Sequence, residues 1–493
     1  MASERDTRLA VFAVNRFGLG VKADGIGGIA DDIRERLREE VRTGLSAGTA
    51  VPQGGNTGLE TSAALFRAWR EREDFLRVAR MPVRPDPGQP PTPQPGTPGL
   101  RVGGMEPNKP VGPMRVPGST IPQATFLTEA AARMGFGLGP DIGFVERLVL
   151  FWSNHFAIAT SKGGQVKTLA GAFEREAIRP YVLGRFSDML LAVETHPAML
   201  MYLDNQQSVG PQSQAGQKQR RGLNENLARE ILELHTMGVG SGYSQADVTS
   251  LARTITGWTV AYNDTPNRVQ GRFIFSAYQH EPGDHSVLGT SYRTGGAVQG
   301  QMALLDLARH PATAHHIARK LARHFTADTP DPKLVGRLER AFIDTDGDLA
   351  AVSLTLLEAP EAWREDTRKP RLPYEFLIAG LRATGRSGLD RPNAVNPLLS
   401  ALNAMGQGLW DPSGPNGFPD TAGAWISAEG MTSRLETAAM LGRQAPGARN
   451  PNDVLANVLG PRASRETRVA VSRADSREQG LALLFMAPEF QWR

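Results

Sequence analysis

Along most of the chain, apolar residues recur at the three- and four-residue spacing of helices that bury one face. Ile33, Leu37 and Val41 form one such stripe, and Leu65, Trp69 and Phe75 carry the same pattern through residues 25–80. It resumes near Thr125 and predicts helices over 143–156, 185–194, 197–204, 223–237, 245–258, 298–309, 312–325, 332–343, 347–358 and 372–385. Punctuation agrees with this reading. Ser244 and Asp247 form a capping-box pattern, Gly238 sits where a helix should stop, and Pro197 and Pro311 fall where a first turn tolerates proline. Arg272–Ser276 is the best strand candidate, half of a small hairpin. Polar stretches at 205–222 and 386–423 are long enough to act as lids or simply to connect.

Between Met81 and Pro122 the periodicity disappears, and thirteen prolines and seven glycines crowd into it. Missing donors and fixed φ exclude a helix or a central strand here. The stretch reads either as an extended surface excursion or as a linker.

Composition narrows the function classes. The chain has 493 residues, 55 Lys+Arg against 51 Asp+Glu, a net charge of +4 and no Cys. Without Cys there are no disulfides, thiolate metal sites or thiol nucleophiles. A net charge this small with no long basic run argues against a specific nucleic-acid partner. The longest strongly apolar stretch, Leu148–Trp152, is far short of the ~20 residues of a membrane span. The first residues are charged and lead into LAVFAV, too short for the core of a signal peptide, so a cytoplasmic protein is expected. Lack of Cys fits an oxidising compartment equally well.

Three segments carry candidate chemistry. In Glu146–Phe156 the residues Leu148, Phe151, Trp152 and His155 share a face, which puts the imidazole on the apolar side with Asn154 beside it. In Asn224–Gly238 the stripe is Leu223, Leu227, Ile231, Leu234 and Met237. Glu230 lies just inside one edge with Asn226 beyond it, and Asn224 and His235 border the other. Glu225, Arg229 and Glu233 form an i, i+4 ladder. Buried carboxylates there need cations, either arginines or a metal. The third, His280-Glu281-Pro-Gly-Asp-His285, reads as an exposed loop with two His and two acids, but without the fixed spacing of a metal motif. Two weaker features were weighed as well. Asp344–Asp348 lacks the glutamate of a calcium loop, and His316 with Lys320 is expected to be solvated or to face an anion. Phosphate-binding and dinucleotide glycine loops and a serine nucleophile elbow are missing from the sequence, so no nucleotide or flavin is expected.

Taken in order, VNRFGLG at 14–20, FWSNHF at 151–156, AFEREAIRPYVLGRF at 172–186 and HPAMLMYLDNQQS at 196–208 carry a family resemblance. RGLNENLAREILELHTMGV at 221–239, YSQADVTSLARTITGW at 243–258, HPATAHHIARKLARHF at 310–325 and SREQGLALLFMAPEF at 476–490 extend it. They closely resemble the bacterial family called "domain of unknown function 1800". That resemblance implies one family-length body and brings no reaction with it. It favours a mainly α fold, a large single multi-helical body with a minor β hairpin and a Pro-rich surface excursion. The parts are N-terminal helices at 1–80, the excursion at 81–123 and the main helical body at 124–493. Family context also implies a companion of the "domain of unknown function 1501" family, which looks like phosphatase or sulfatase relatives, and raises a periplasmic location by co-export.

Two functional expectations stand side by side. In the first the chain is a helical hydrolase or transferase. Glu230, His235 and His155 are its catalytic residues and its candidate ligands for a divalent metal, and Asn154, Asn224, Asn226, Arg229, Trp152, Trp258 and His280 bind substrate. His155, Glu230 and His235 should then converge, walled by Trp152 and Trp258. In the second it is a non-catalytic accessory of the phosphatase-like companion.

Overall fold

The computed structural model describes residues 3–47, 58–79, 120–218, 222–389, 392–447 and 449–493. The Pro-rich stretch expected as an excursion lies, from residue 80 to 119, outside the described residues. Within them the chain is mainly helical, with two small antiparallel two-stranded sheets.

Local chemistry explains where helices start. Ser3 and Ser244 each cap a helix with a complete capping box, Ser244 with Asp247 as its sequence suggests. Two His-Pro-Ala runs use a different device. The imidazoles of His196 and His310 each accept the backbone N–H two residues on, at 3.1 and 3.2 Å, and the prolines occupy the first turn. Two of the nine histidines are thereby accounted for as caps.

Apolar faces from both ends of the chain meet in one core. Phe17 on the first helix's C-cap packs with Phe144, Phe325 and Trp363. Buried arginines knit the loops around that core by donating to carbonyls. Arg16 donates to Phe325, Thr326, Arg364 and Thr367, and Arg382 to Gly20, Gly137, Pro140 and Asp141. Each guanidinium satisfies several carbonyls that have no helix partner.

Several elements differ from the sequence expectation. The 245–258 helix stops at Thr254, because Gly257 turns the chain with φ +81° and Trp258–Val260 becomes a strand paired with Phe273–Phe275. A side chain at Gly257 would put its Cβ 2.5 Å from the Ser276 carbonyl. A second pair, His285–Val287 with Thr290–Tyr292, lies where a loop was expected. The segment before it is not exposed: His280, Glu281 and His285 are all buried. The 223–237 helix is shorter and changes character. Asn226–Glu230 is α-helical, and Ile231–His235 is a wide turn with i→i+5 bonding. A second wide turn spans Glu174–Ile178.

Candidate functional site

The wide turn at Ile231–His235 ends abruptly at Thr236, and the Gly238 N–H returns to the Leu232 carbonyl at 3.2 Å. Its last carbonyls are left facing outward, as at any helix C-terminus. Two imidazoles from other helices take them. His316 donates from Nε2 to Leu234 O at 3.2 Å, and His155 donates from Nε2 to His235 O at 3.1 Å. A ring nitrogen facing a carbonyl must carry the proton, so the Nδ1 of His155 is left as a lone pair. Lys320 fills it, its Nζ donating to His155 Nδ1 at 2.9 Å.

Lys320 stands at the wall of a cavity of about 260 Å³. The cavity lies between the helices Phe144–His155 and Pro311–Phe325, the start of Pro373–Thr384, and the segment 407–420. Leu150, Phe151, Ile158, Trp410 and Phe418 supply apolar wall, and Ser153, Asn154, Arg323 and Tyr374 supply polar atoms. Asn154 fastens the covering segment. Its amide donates to Phe418 O at 3.0 Å and accepts from Phe418 N at 2.7 Å, as a strand partner would. Next to it Gly417 adopts φ +74°, and a Cβ there would sit 2.3 Å from the Asn154 carbonyl. Only glycine fits.

Electrostatics set the protonation pattern. Burial lowers Lys320 to about 8, with Arg323 adding to the effect and Asp420 opposing it. Burial, then the charge of Lys320, holds His155 well below its usual range, so the ring is neutral at pH 7. His316 is brought to about 4, again chiefly by burial. Arg323 donates from Nε to Asp328 O at 3.1 Å. Among the described residues no carboxylate pairs with its guanidinium.

The other end of the cavity is different in kind. Glu375 receives Arg493 at 2.9 Å, Arg147 at 3.3 Å and the Leu372 N–H at 3.1 Å. Burial works against its charge, but Arg147 and Arg493 outweigh it and bring the carboxyl to about 2. His324 takes an Arg147 N–H on Nε2 at 3.2 Å and offers Nδ1–H to Asp420 at 3.5 Å, and Lys369 meets Asp420 at 2.9 Å. A separate, wider hollow of about 830 Å³ is lined by Lys22 and Arg382 among others. Lys22 is paired with Asp141 at 2.9 Å, and Arg382 is occupied by carbonyls. Neither offers a free group.

The structure brings together some of the residues singled out in the sequence. The His155 and His235 rings lie 6.4 Å apart, and Trp152 packs edge-on to His155 at 5.2 Å. His235, however, is sealed away from the cavity, with Nδ1 2.8 Å from the equally buried Glu194. Glu230 is half-buried outside the cavity lining, and among the described residues nothing hydrogen-bonds to its side chain. Burial raises its carboxyl. With both His155 nitrogens engaged, the three residues do not form a ligand set. No group of three acidic or imidazole side chains among the described residues is arranged to hold a metal.

The remaining candidates serve the framework. Arg229 closes the expected surface ladder with Glu225 and Glu233 at 3.2 and 3.4 Å. Asn224 donates to Leu203 O and Asp204 O and accepts the Asn226 N–H. Trp258 packs on Phe273 instead of walling the histidines. His280 donates to Thr256 O at 2.9 Å. Sequence reasoning missed Lys320 and Arg323 by placing that helix edge in solvent. The available signal was the row His316, Lys320, Arg323 and His324 at three- and four-residue steps, flanking a strongly apolar stripe.

A family model described as "Protein of unknown function (DUF1800)" matches residues 13–492. The chain belongs to DUF1800. No curated protein and no solved structure matches it. The DUF1800 match runs across the cavity and every helix that lines it, so the site is part of the family body. Among the described residues no helix is long and apolar enough to cross a membrane.

Proposed function

We propose that this DUF1800 member is an enzyme acting on a small molecule held in the cavity beneath the 407–420 segment. Lys320 and His155 form its acid–base pair. The observation that carries this reading is the setting of the Lys320 amine. It reaches the wall of a largely apolar cavity, and its one hydrogen-bond partner among the described residues is a neutral imidazole. The chain has eight lysines and 47 arginines. It uses arginine for most of its buried cations, yet the cation here is one that can surrender its proton near neutral pH. His155 accepts that proton on the nitrogen whose lone pair the His235 carbonyl has fixed. A hydrolase or transferase fits such a pair, with the catalytic role moved from Glu230 and His235 to Lys320.

Competitive labelling with trace acetic anhydride, read peptide by peptide across pH, tests the reading. Lys320 is expected to titrate near 8 and to react faster per free amine than surface lysines. A Lys320 that titrates like an exposed lysine, or is protected at every pH, overturns it. The companion of the "domain of unknown function 1501" family is a separate proposal, checked by co-purification from the source cell.

A further inference from the structure

We propose that Lys320 forms an imine with a compact aldehyde or ketone that also carries a carboxylate, the carboxylate resting on Arg323. This rests on the reading of the cavity as an active site and names its substrate class. Lys320 and Arg323 lie three residues apart on one helix, so both heads reach the same cavity wall. The Arg323 Nε is taken by the Asp328 carbonyl, which leaves the outer edge of the guanidinium for a planar anion. The carboxylates at the far end are already engaged, Asp420 by Lys369 and His324, and Glu375 by two arginines. They leave no cation there for a second anion, so the anionic end of a substrate is drawn to Arg323. Leu150, Phe151 and Phe418 suit a short carbon skeleton between the two heads.

The chemistry balances within the site. The Lys320 ammonium gives one proton to His155 Nδ1, and the freed lone pair forms a bond to the carbonyl carbon. The π electrons move to oxygen, which takes a second proton from the same nitrogen, giving a carbinolamine. His155 returns its proton to that hydroxyl, the C–O bond breaks, water leaves, and nitrogen closes the C=N bond as an iminium carrying one hydrogen. Three ammonium hydrogens become two in water and one on nitrogen, and no oxidant or reductant enters.

The test uses the full chain, glyoxylate as a two-carbon aldehyde acid, and cyanoborohydride to trap the iminium. Acetaldehyde serves as the partner reagent that lacks the carboxylate. One carboxymethyl group on Lys320, with glyoxylate labelling roughly tenfold faster than acetaldehyde, is expected. Arg323→Gln should remove that preference while acetaldehyde labelling persists, and the persisting label shows that the variant has folded around its cavity. Equal labelling of Lys320 by both reagents in the unaltered chain overturns the carboxylate assignment without recourse to any variant. If Lys320 acetylates with its low titration but neither carbonyl is trapped there, the imine is overturned and the acid–base reading survives. If Lys320 takes neither acetyl nor carbonyl label, both fall.

Discussion

Two clusters of buried cations border the same cavity, and they are built on opposite plans. Around Glu375 each charge is answered: Arg147 and Arg493 share one carboxylate, and Asp420 takes Lys369 and His324. At the other end Lys320 has only a neutral ring, and Arg323 has a single carbonyl. Burying an unpaired cation costs free energy that a paired one recovers in part. The saturated cluster is architecture, joining the helices Phe144–His155, Pro311–Phe325 and Pro373–Thr384 to the chain around residue 493. The starved one retains free energy that a bound anion or a lost proton would release.

The contrast is broken most forcefully at Glu375. Glu375→Ala leaves Arg147 and Arg493 buried without their anion and should cost about 3–5 kcal/mol in urea unfolding. A loss below 1 kcal/mol would mean that the saturated cluster is no more integral than the starved one. Gly417→Ala comes next. The methyl group must displace the Asn154 carbonyl or relax a left-handed backbone, at about 1–3 kcal/mol, and the change should appear as faster amide exchange in 411–420.

Lys320→Met should do the reverse of Glu375→Ala. Stability at pH 7 should hold or rise by up to about 1 kcal/mol, while labelling at this position vanishes. Its pH dependence sharpens the point. Lys320 titrates near 8 when folded against 10.5 when unfolded. Between those values the unfolded chain binds more protons, so the unaltered protein gains stability as pH rises and the Met variant lacks that gain. Unfolding curves at pH 7.5 and 10 compare the two. On the acid side His316 and His324 sit near 4 against 6.5, so stability should fall as pH drops from 6.5 towards 4. His316→Gln should flatten part of that slope. The smallest effect is expected from Glu230→Ala, within about 0.5 kcal/mol, because no buried cation depends on that carboxylate.

Helical periodicity made the framework legible before any coordinates. Leu148, Phe151, Trp152 and His155 all lie buried as their shared face requires, and the Ser244 capping box forms as written. What periodicity could not show was which polar edge faces inward. His316 and Lys320 lie beside a stripe that includes Ile317 and Leu321, and a wheel cannot distinguish an edge covered by another helix from one left in water. The wide turn was hidden for a related reason. Ile231–His235 fits a 3.6-residue repeat well enough, and only the long-range demand of two imidazoles for carbonyls distinguishes it. The buried His280 failed similarly, because its partner is a backbone carbonyl that carries no sequence signature.

That wide turn has a consequence for how the gene can change length. An i→i+5 turn is an α-turn holding one residue too many, so removing one residue from 231–235 would restore ordinary helical bonding. Taken locally, such a deletion looks harmless or even favourable. Yet it rotates everything beyond it by about 100° and draws it back along the axis by about 1.5 Å. His235 would turn away from Glu194, and the carbonyls of Leu234 and His235 would swing off His316 and His155. With its Nε2 partner gone, His155 could change tautomer and place a proton where Lys320 now needs a lone pair. In this segment, therefore, single-codon deletions should be less tolerated than most substitutions, for the count of residues fixes which nitrogen of a distant ring is basic.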